Sequence, residues 1–284
     1  MKRFCPFSLT LRGVRQEFDR PLVMGILNAT PDSFYAGCRA TDDEALAARV
    51  QEIVEQGGDI IDVGAYSTRP GAAEVDAAEE VARLRKAMAV VRRVAPGVLT
   101  SVDTFRASVA RIAVEELGVD IINDVSGGML DDDMLPTVAS LQVPYVLMHM
   151  RGTPATMQQL TQYDDVTAEV VESLRQRIAR LRELGATDVI ADPGFGFSKT
   201  LEQNYEMLAC LEQFHSLEVP LLVGVSRKSM IYKLLGVTPH EALNGTTVVN
   251  TLALMAGAHI LRVHDVREAL EACKIVQLTD SCHK

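Results

Sequence analysis

The chain has 284 residues, 48% of them hydrophobic, and a formal net charge of −10. That length and apolar content can bury one large core, and the acidic balance argues against nonspecific binding to nucleic acid or to an anionic membrane surface. A small anionic substrate is not excluded, because a local cluster of Arg, Lys and metal outweighs the average.

Residues 8–20 alternate apolar and polar (Leu9, Leu11 and Val14 among Ser8, Thr10, Arg12 and Arg15), which predicts a short hairpin ahead of the main fold. Its expected place is the bottom of a barrel. Eight short apolar runs then follow: 22–28, 60–64, 98–103, 120–125, 145–150, 188–192, 221–226 and 259–264. Each is succeeded by a helical pattern. Strands buried on both faces read as continuous apolar segments, and strand–helix alternation imposes parallel pairing. Eight such units close a (β/α)8, or TIM, barrel, so the fold class expected is α/β: one barrel domain over 1–284, with 1–20 as its hairpin extension.

Helix starts are expected at Thr41, Asp76, Thr238 and Asp265, each with Glu three residues on. Stops are expected at Gly57-Gly58, Gly118 and Gly185. The spacing of Val166, Val170, Leu174, Ile178 and Leu181 predicts a helix with one buried stripe. Two strand-to-helix connections, 30–40 and 65–75, are longer than a tight barrel needs and read as binding loops. The five cysteines (Cys5, Cys38, Cys210, Cys273, Cys282) include no C-x-x-C pair, which predicts a reduced cytoplasmic protein without a disulfide framework or zinc site. The N-terminus makes a poor secretory signal. The most apolar long run, 248–261, is interrupted by Asn250, Gly257 and His259, so no membrane span is expected.

In such barrels the chemistry sits at the C-terminal ends of the strands. Asn28, Asp62, Asp103, Asn123, His149, Asp192, Lys228, Arg262 and His264 stand at or just beyond those ends and are expected to share one rim. Buried acids without partners would be costly, so acids at these strand ends point to contact with a ligand. Asp62 either joins that contact or braces its neighbours.

The motifs extend further. They include Asn28-Ala29-Thr30-Pro31-Asp32-Ser33-Phe34, Ser67-Thr68-Arg69-Pro70-Gly71, Ser101-Val102-Asp103-Thr104 and Ile122-Asn123-Asp124. Further on come Met148-His149-Met150-Arg151-Gly152, Asp192-Pro193-Gly194-Phe195-Gly196-Phe197, Ser226-Arg227-Lys228-Ser229 and Arg262-Val263-His264. Taken together and in order, they make residues 23–266 resemble the dihydropteroate synthase family of folate biosynthesis. The resemblance implies condensation of (7,8-dihydropterin-6-yl)methyl diphosphate with p-aminobenzoate, releasing pyrophosphate. It implies pterin contacts from Asp103, Asn123, Asp192, Lys228 and Arg262, and pyrophosphate contacts from Asn28, Thr68, Arg69, Arg262 and His264. Thr68, Arg69, Pro70, Phe195, Lys228 and Ser229 are implied around p-aminobenzoate. Catalysis falls to Asn28, Asp32, Arg69, Lys228 and Arg262, with Mg²⁺ as cofactor held through Asn28. Sulfonamides are expected competitors, and a homodimer is the expected assembly.

Two positions depart from the family pattern. Ala36 stands where an aspartate is usual, and Tyr66 where a glutamate precedes Ser-Thr-Arg-Pro-Gly. Asp32 can substitute in part for the first. Rival expectations are a pterin-dependent methyltransferase, which has no need of Ser-Thr-Arg-Pro-Gly or Ser-Arg-Lys-Ser, a non-catalytic pterin-binding paralogue, and a generic phosphosugar barrel.

Overall fold

The computed structural model describes residues 4–29, 42–66 and 75–282. It opens with an antiparallel hairpin, β1 (Phe7–Leu11) and β2 (Val14–Phe18), in which Leu11 faces Val14. The two-residue turn between them needs positive φ, and Arg12 (52°) and Gly13 (74°) supply it.

Eight parallel strands follow: β3 (Leu22–Asn28), β4 (Ile60–Gly64), β5 (Leu99–Asp103), β6 (Ile121–Asp124), β7 (Tyr145–Met148), β8 (Val189–Asp192), β9 (Leu222–Val223) and β10 (Ile260–Val263). They are separated by α1 (Asp42–Glu55), α2 (Ala77–Val94), α3 (Ala107–Glu115), α4 (Met134–Leu141), α5 (Val166–Glu183), α6 (Leu201–Ala209), and the pair α7 (Ser229–Leu235) and α8 (Leu243–Met255). α9 (Val266–Cys282) packs last. Strand order is β8-β7-β6-β5-β4-β3-β10-β9. The ring closes where Ala191 pairs with Leu221 and donates its N–H to Pro220 O at 2.8 Å.

Side-chain alternation along each strand explains this closure. Val23, Ile61, Val63, Val102, Ile122, Leu147, Val223 and Leu261 point outward and are buried under the helices. Leu22, Met24, Ile60, Ile121, Val146, Ile190, Leu222 and Ile260 point inward and fill the N-terminal half of the barrel together with Leu9 and Leu11 of the hairpin. The hairpin therefore plugs the floor. At about 1.5–3 kcal/mol per fully buried aliphatic side chain, this inner layer is a major source of stability. One step higher, the inward positions turn polar, beginning with Asp62, Ser101 and Asn123, all buried.

Most predicted elements lie where the sequence places them; the differences have local causes. Asp76 caps α2 by accepting from Glu79 N at 2.8 Å. Thr238 and Glu241 form their capping box on a single 3₁₀ turn, and α8 starts only at Leu243. Asp265 does not act as an expected cap, because Arg227 takes its carboxylate in two bonds of 2.9 and 2.8 Å. The expected strand 221–226 shortens to the two residues of β9.

Candidate active site

At the C-terminal mouth, the strands β4, β5, β6 and β10 bring four side chains into one hydrogen-bonded chain. Asp62 Oδ2 accepts from Asn123 Nδ2 at 3.1 Å and from Arg262 Nε at 2.7 Å. Arg262 also donates through Nη2 to Asp103 Oδ2 at 3.0 Å. Asp62 is fully buried, so it is the brace that orients the guanidinium and the amide, while Asp103 is the more accessible acid. Burial raises the Asp103 carboxyl to about 7 against the opposing pull of Arg262.

The second wall comes from the turn after β8. Asp192 Oδ1 accepts from Gly194 N at 2.8 Å, and burial raises its carboxyl although Lys228 opposes the shift. The Lys228 ammonium donates to the Phe195 carbonyl at 2.6 Å and lies 4.6 Å from the centre of the Phe197 ring. Burial lowers Lys228 to about 8. The Phe195 ring is fully buried in the outer core, and its carbonyl reaches the site through Lys228. Phe197, which the sequence reading did not single out, supplies the aromatic face. It packs with Phe105 against Val125, Met148, Met150 and Met157.

Around the rim, Asn28 ends β3 with an exposed side chain. His264 places Nδ1 3.0 Å from Ser226 Oγ, which itself accepts from His264 N at 3.1 Å. Which of the two donates in the side-chain contact depends on the imidazole tautomer, since the hydroxyl oxygen has two lone pairs. Burial, then Arg262, lowers His264 to about 4, so its ring is neutral. Arg227, in left-handed backbone (φ 53°), ties Asp265 to the Pro239 and His240 carbonyls and holds the segment from which Lys228 and Ser229 project. Sequence reasoning missed Arg227 because a left-handed arginine has no periodic signature. Tyr66 sits edge-on to Phe105 with centroids 5.2 Å apart, and Arg106 covers both rings. Arg106 also pairs with the fully buried Glu80 and donates to Val75 O at 2.7 Å. Asp32, Ala36, Thr68, Arg69 and Pro70 lie outside the described residues.

A closed parallel barrel with acids, an amide and cations converging at its C-terminal mouth has the architecture of an enzyme for a small polar ligand. The family described as pterin binding enzyme matches residues 24–264. A dihydropteroate synthase of Escherichia coli strain K12 is 44% identical over 276 residues, covering 96% of each chain. Among solved structures, dihydropteroate synthase of Xanthomonas albilineans with 4-aminobenzoic acid superimposes with a TM-score of 0.87 at 40% identity, over 96% of this chain and 98% of that one. The Yersinia pestis enzyme in a sulfonamide drug complex gives 0.87 at 41% identity, over 97% and 99%. The chain belongs to the pterin-binding enzymes and, within them, to the dihydropteroate synthase family.

Proposed function

We infer that the protein joins (7,8-dihydropterin-6-yl)methyl diphosphate to p-aminobenzoate, forming 7,8-dihydropteroate and pyrophosphate in folate biosynthesis. The observation that carries this reading is the bonded chain Asn123–Asp62–Arg262–Asp103, with Asp192 and Lys228 on the adjoining wall. Asp103, Asp192 and Asn123 match the N–H donors and carbonyl of a dihydropterin edge. Lys228 donates toward the ring, and Arg262 presents a planar cation to ring and phosphate.

The methylene C–O bond breaks first, and the departing electron pair leaves with pyrophosphate. The cation left behind is delocalised into the dihydropterin. The neutral arylamine nitrogen then forms the C–N bond and loses its proton to solvent, so no nucleophile–base pair is needed. Arg262 and a neutral His264 stabilise charge developing on the leaving group, and the rigid mouth supplies positioning. Phe197, Lys228 and Ser229 form the described part of the p-aminobenzoate site, which Thr68, Arg69 and Pro70 complete in this reading, with Asp32 and Arg69 assisting catalysis. Sulfonamides, which mimic the arylamine acid, compete there.

Asn28, exposed at the end of β3, carries a side-chain amide oxygen that fits Mg²⁺, which keeps waters and phosphate oxygens around it and needs few protein ligands. When bound, the ion neutralises charge on the diphosphate. A second copy of the chain is the proposed partner: Val248, Leu252 and Met255 on α8 and Ile275 and Leu278 on α9 leave 38–68% of their surfaces exposed on adjoining helices. The number and spacing of the five cysteines, with no C-x-x-C pair, support a reducing, cytoplasmic location.

The test is direct. Purified protein with dihydropterin diphosphate, Mg²⁺ and p-aminobenzoate should release pyrophosphate in step with dihydropteroate. Pterin binding without release would instead identify a binding-only paralogue.

A further inference from the structure

Lys199 is 3% exposed and has no place in the chemistry above, yet its ammonium has three acceptors. They are Gly194 O at 3.1 Å, Phe197 O at 3.0 Å and Nδ1 of His149 at 3.1 Å. His149, just beyond β7, is equally buried, and burial followed by the Lys199 charge lowers it to about 2. Its Nδ1 therefore serves as an acceptor and its ring stays neutral.

The turn that Lys199 closes is unusual. Gly194, Gly196 and Ser198 all have positive φ (70°, 82° and 50°), and the turn they make brings the Gly194 and Phe197 carbonyls, three residues apart, onto the ammonium. A Cβ on Gly194 would lie 2.0 Å from His149 O, so this turn packs backbone to backbone on the end of β7. Arg151 N donates to Ser198 Oγ at 3.0 Å, and Gly196 N to Asn204 Oδ1 at 2.6 Å. Both groups that touch the Lys228 ammonium, the Phe195 carbonyl and the Phe197 ring, belong to this turn.

We propose that Lys199 is a positioning residue: its amine, shared among two carbonyls and His149, fixes the turn 193–198 and so holds Lys228 in the site. The consequence for turnover rests on the transferase reading above; the effect on Lys228 does not. Lys228 faces Asp192, Asp103 and Arg262, and Lys199 faces Asp192, Lys228 and Arg151 besides His149. A loosened turn admits water to Lys228, whose depression comes first from burial, so its titration should move up from about 8.

The experiment compares Lys199→Met, His149→Leu and His149→Gln by steady-state kinetics, thermal melting and NMR titration of Lys228 in ¹³C-lysine-labelled protein without substrate. Lys199→Met should lower kcat/KM for dihydropterin diphosphate about 100-fold, and His149→Leu about 10-fold. Burial lowers Lys199 itself to about 7, and its titration is followed in the same spectra, so an upward Lys228 titration in His149→Leu with Lys199 unmoved reports position rather than charge. His149→Gln, which keeps an acceptor, should restore both readouts to near wild type. The proposal is overturned if Lys199→Met and His149→Leu keep wild-type kcat/KM and Lys228 titration while only melting falls. Should Lys199→Met not fold, the His149 pair decides alone: equal values for Leu and Gln overturn it. Absence of pyrophosphate release by the wild-type protein sinks the transferase reading, while the Lys228 titration still judges this one.

Discussion

Arg262 and Asp62 are 200 residues apart in the chain and 2.7 Å apart, Nε to Oδ2, across the barrel mouth. The same carboxylate oxygen also takes the Asn123 amide at 3.1 Å. One buried acid thus sets the direction of two groups placed on the ligand. Asp62→Ala removes one of the two carboxylates that hold Arg262 and leaves the Asn123 amide without its acceptor, and it should cost about 1–3 kcal/mol in urea unfolding. Asp62→Asn keeps an oxygen for one donor but removes the charge. It should unfold closer to wild type yet lose about 100-fold in kcat/KM, because Arg262 is then drawn to Asp103 alone. Equal loss of stability in both variants, with kcat preserved in Asp62→Asn, would reduce Asp62 to packing.

The barrel was legible because its strands are buried along most of their length, so Leu22–Asn28 and Ile60–Gly64 stand out as bounded apolar runs. The inward polar step was legible too: Asp62, Asp103, Asn123, Asp192 and Arg262 each lie within or end such a run. Beyond the strand ends, period-two reasoning fails. Phe195, between Gly194 and Gly196, and Phe197, between Gly196 and Ser198, look alike in sequence, and the left-handed backbone at Gly194, Gly196 and Ser198 turns the first ring into the outer core and the second into the site. Lys199 reads as a surface charge at a helix start, since nothing in its neighbours announces three buried acceptors. Asp265 carries a cap signature, but a stronger bidentate partner, Arg227, captures it.

The pH dependence of kcat/KM should be bell-shaped with a narrow top. As pH rises through about 7, Asp103 ionises and becomes an acceptor for ring N–H groups. As it rises further through about 8, Lys228 loses the proton with which it donates. The maximum is expected between those values in initial-rate measurements at low pterin substrate. Asp103→Asn should abolish the acid limb in whatever rate survives, and an unchanged acid limb would assign it to another group.

Acid should destabilise the protein through its buried neutral histidines. His264 is lowered from 6.5 to about 4 on folding, mainly by burial. A depressed folded value contributes stability that is fully present above the unfolded pKa, and that stability is lost as pH falls from about 6.5 through about 4. The contribution is on the order of 3 kcal/mol, and His149 adds in the same direction. Urea midpoints at pH 7 and pH 4.5 should therefore differ less in His264→Gln, which cannot gain that proton, than in wild type. Parallel losses would remove His264 from the acid response.

Tyr66 and Val75 are the described residues on either side of 67–74, and Arg106 holds both, by its face over the Tyr66 ring at 5.4 Å and by a bond to Val75 O at 2.7 Å. Arg106 also neutralises Glu80, which is wholly buried. Arg106→Met strands that carboxylate and should cost about 3–5 kcal/mol in unfolding. Tyr66→Glu, which restores the residue usual in the family, gives up the edge-on contact with Phe105 and the cation–π contact, about 1 kcal/mol or roughly 2–4 °C in melting temperature. In its place a carboxylate competes with Glu80 for the guanidinium. Because Thr68, Arg69 and Pro70 follow directly, the kinetic change should fall on KM for p-aminobenzoate and leave KM for the dihydropterin diphosphate near wild type. Ala36→Asp tests the other departure from the family pattern, and rates unchanged in both variants would show that the two positions are neutral for turnover.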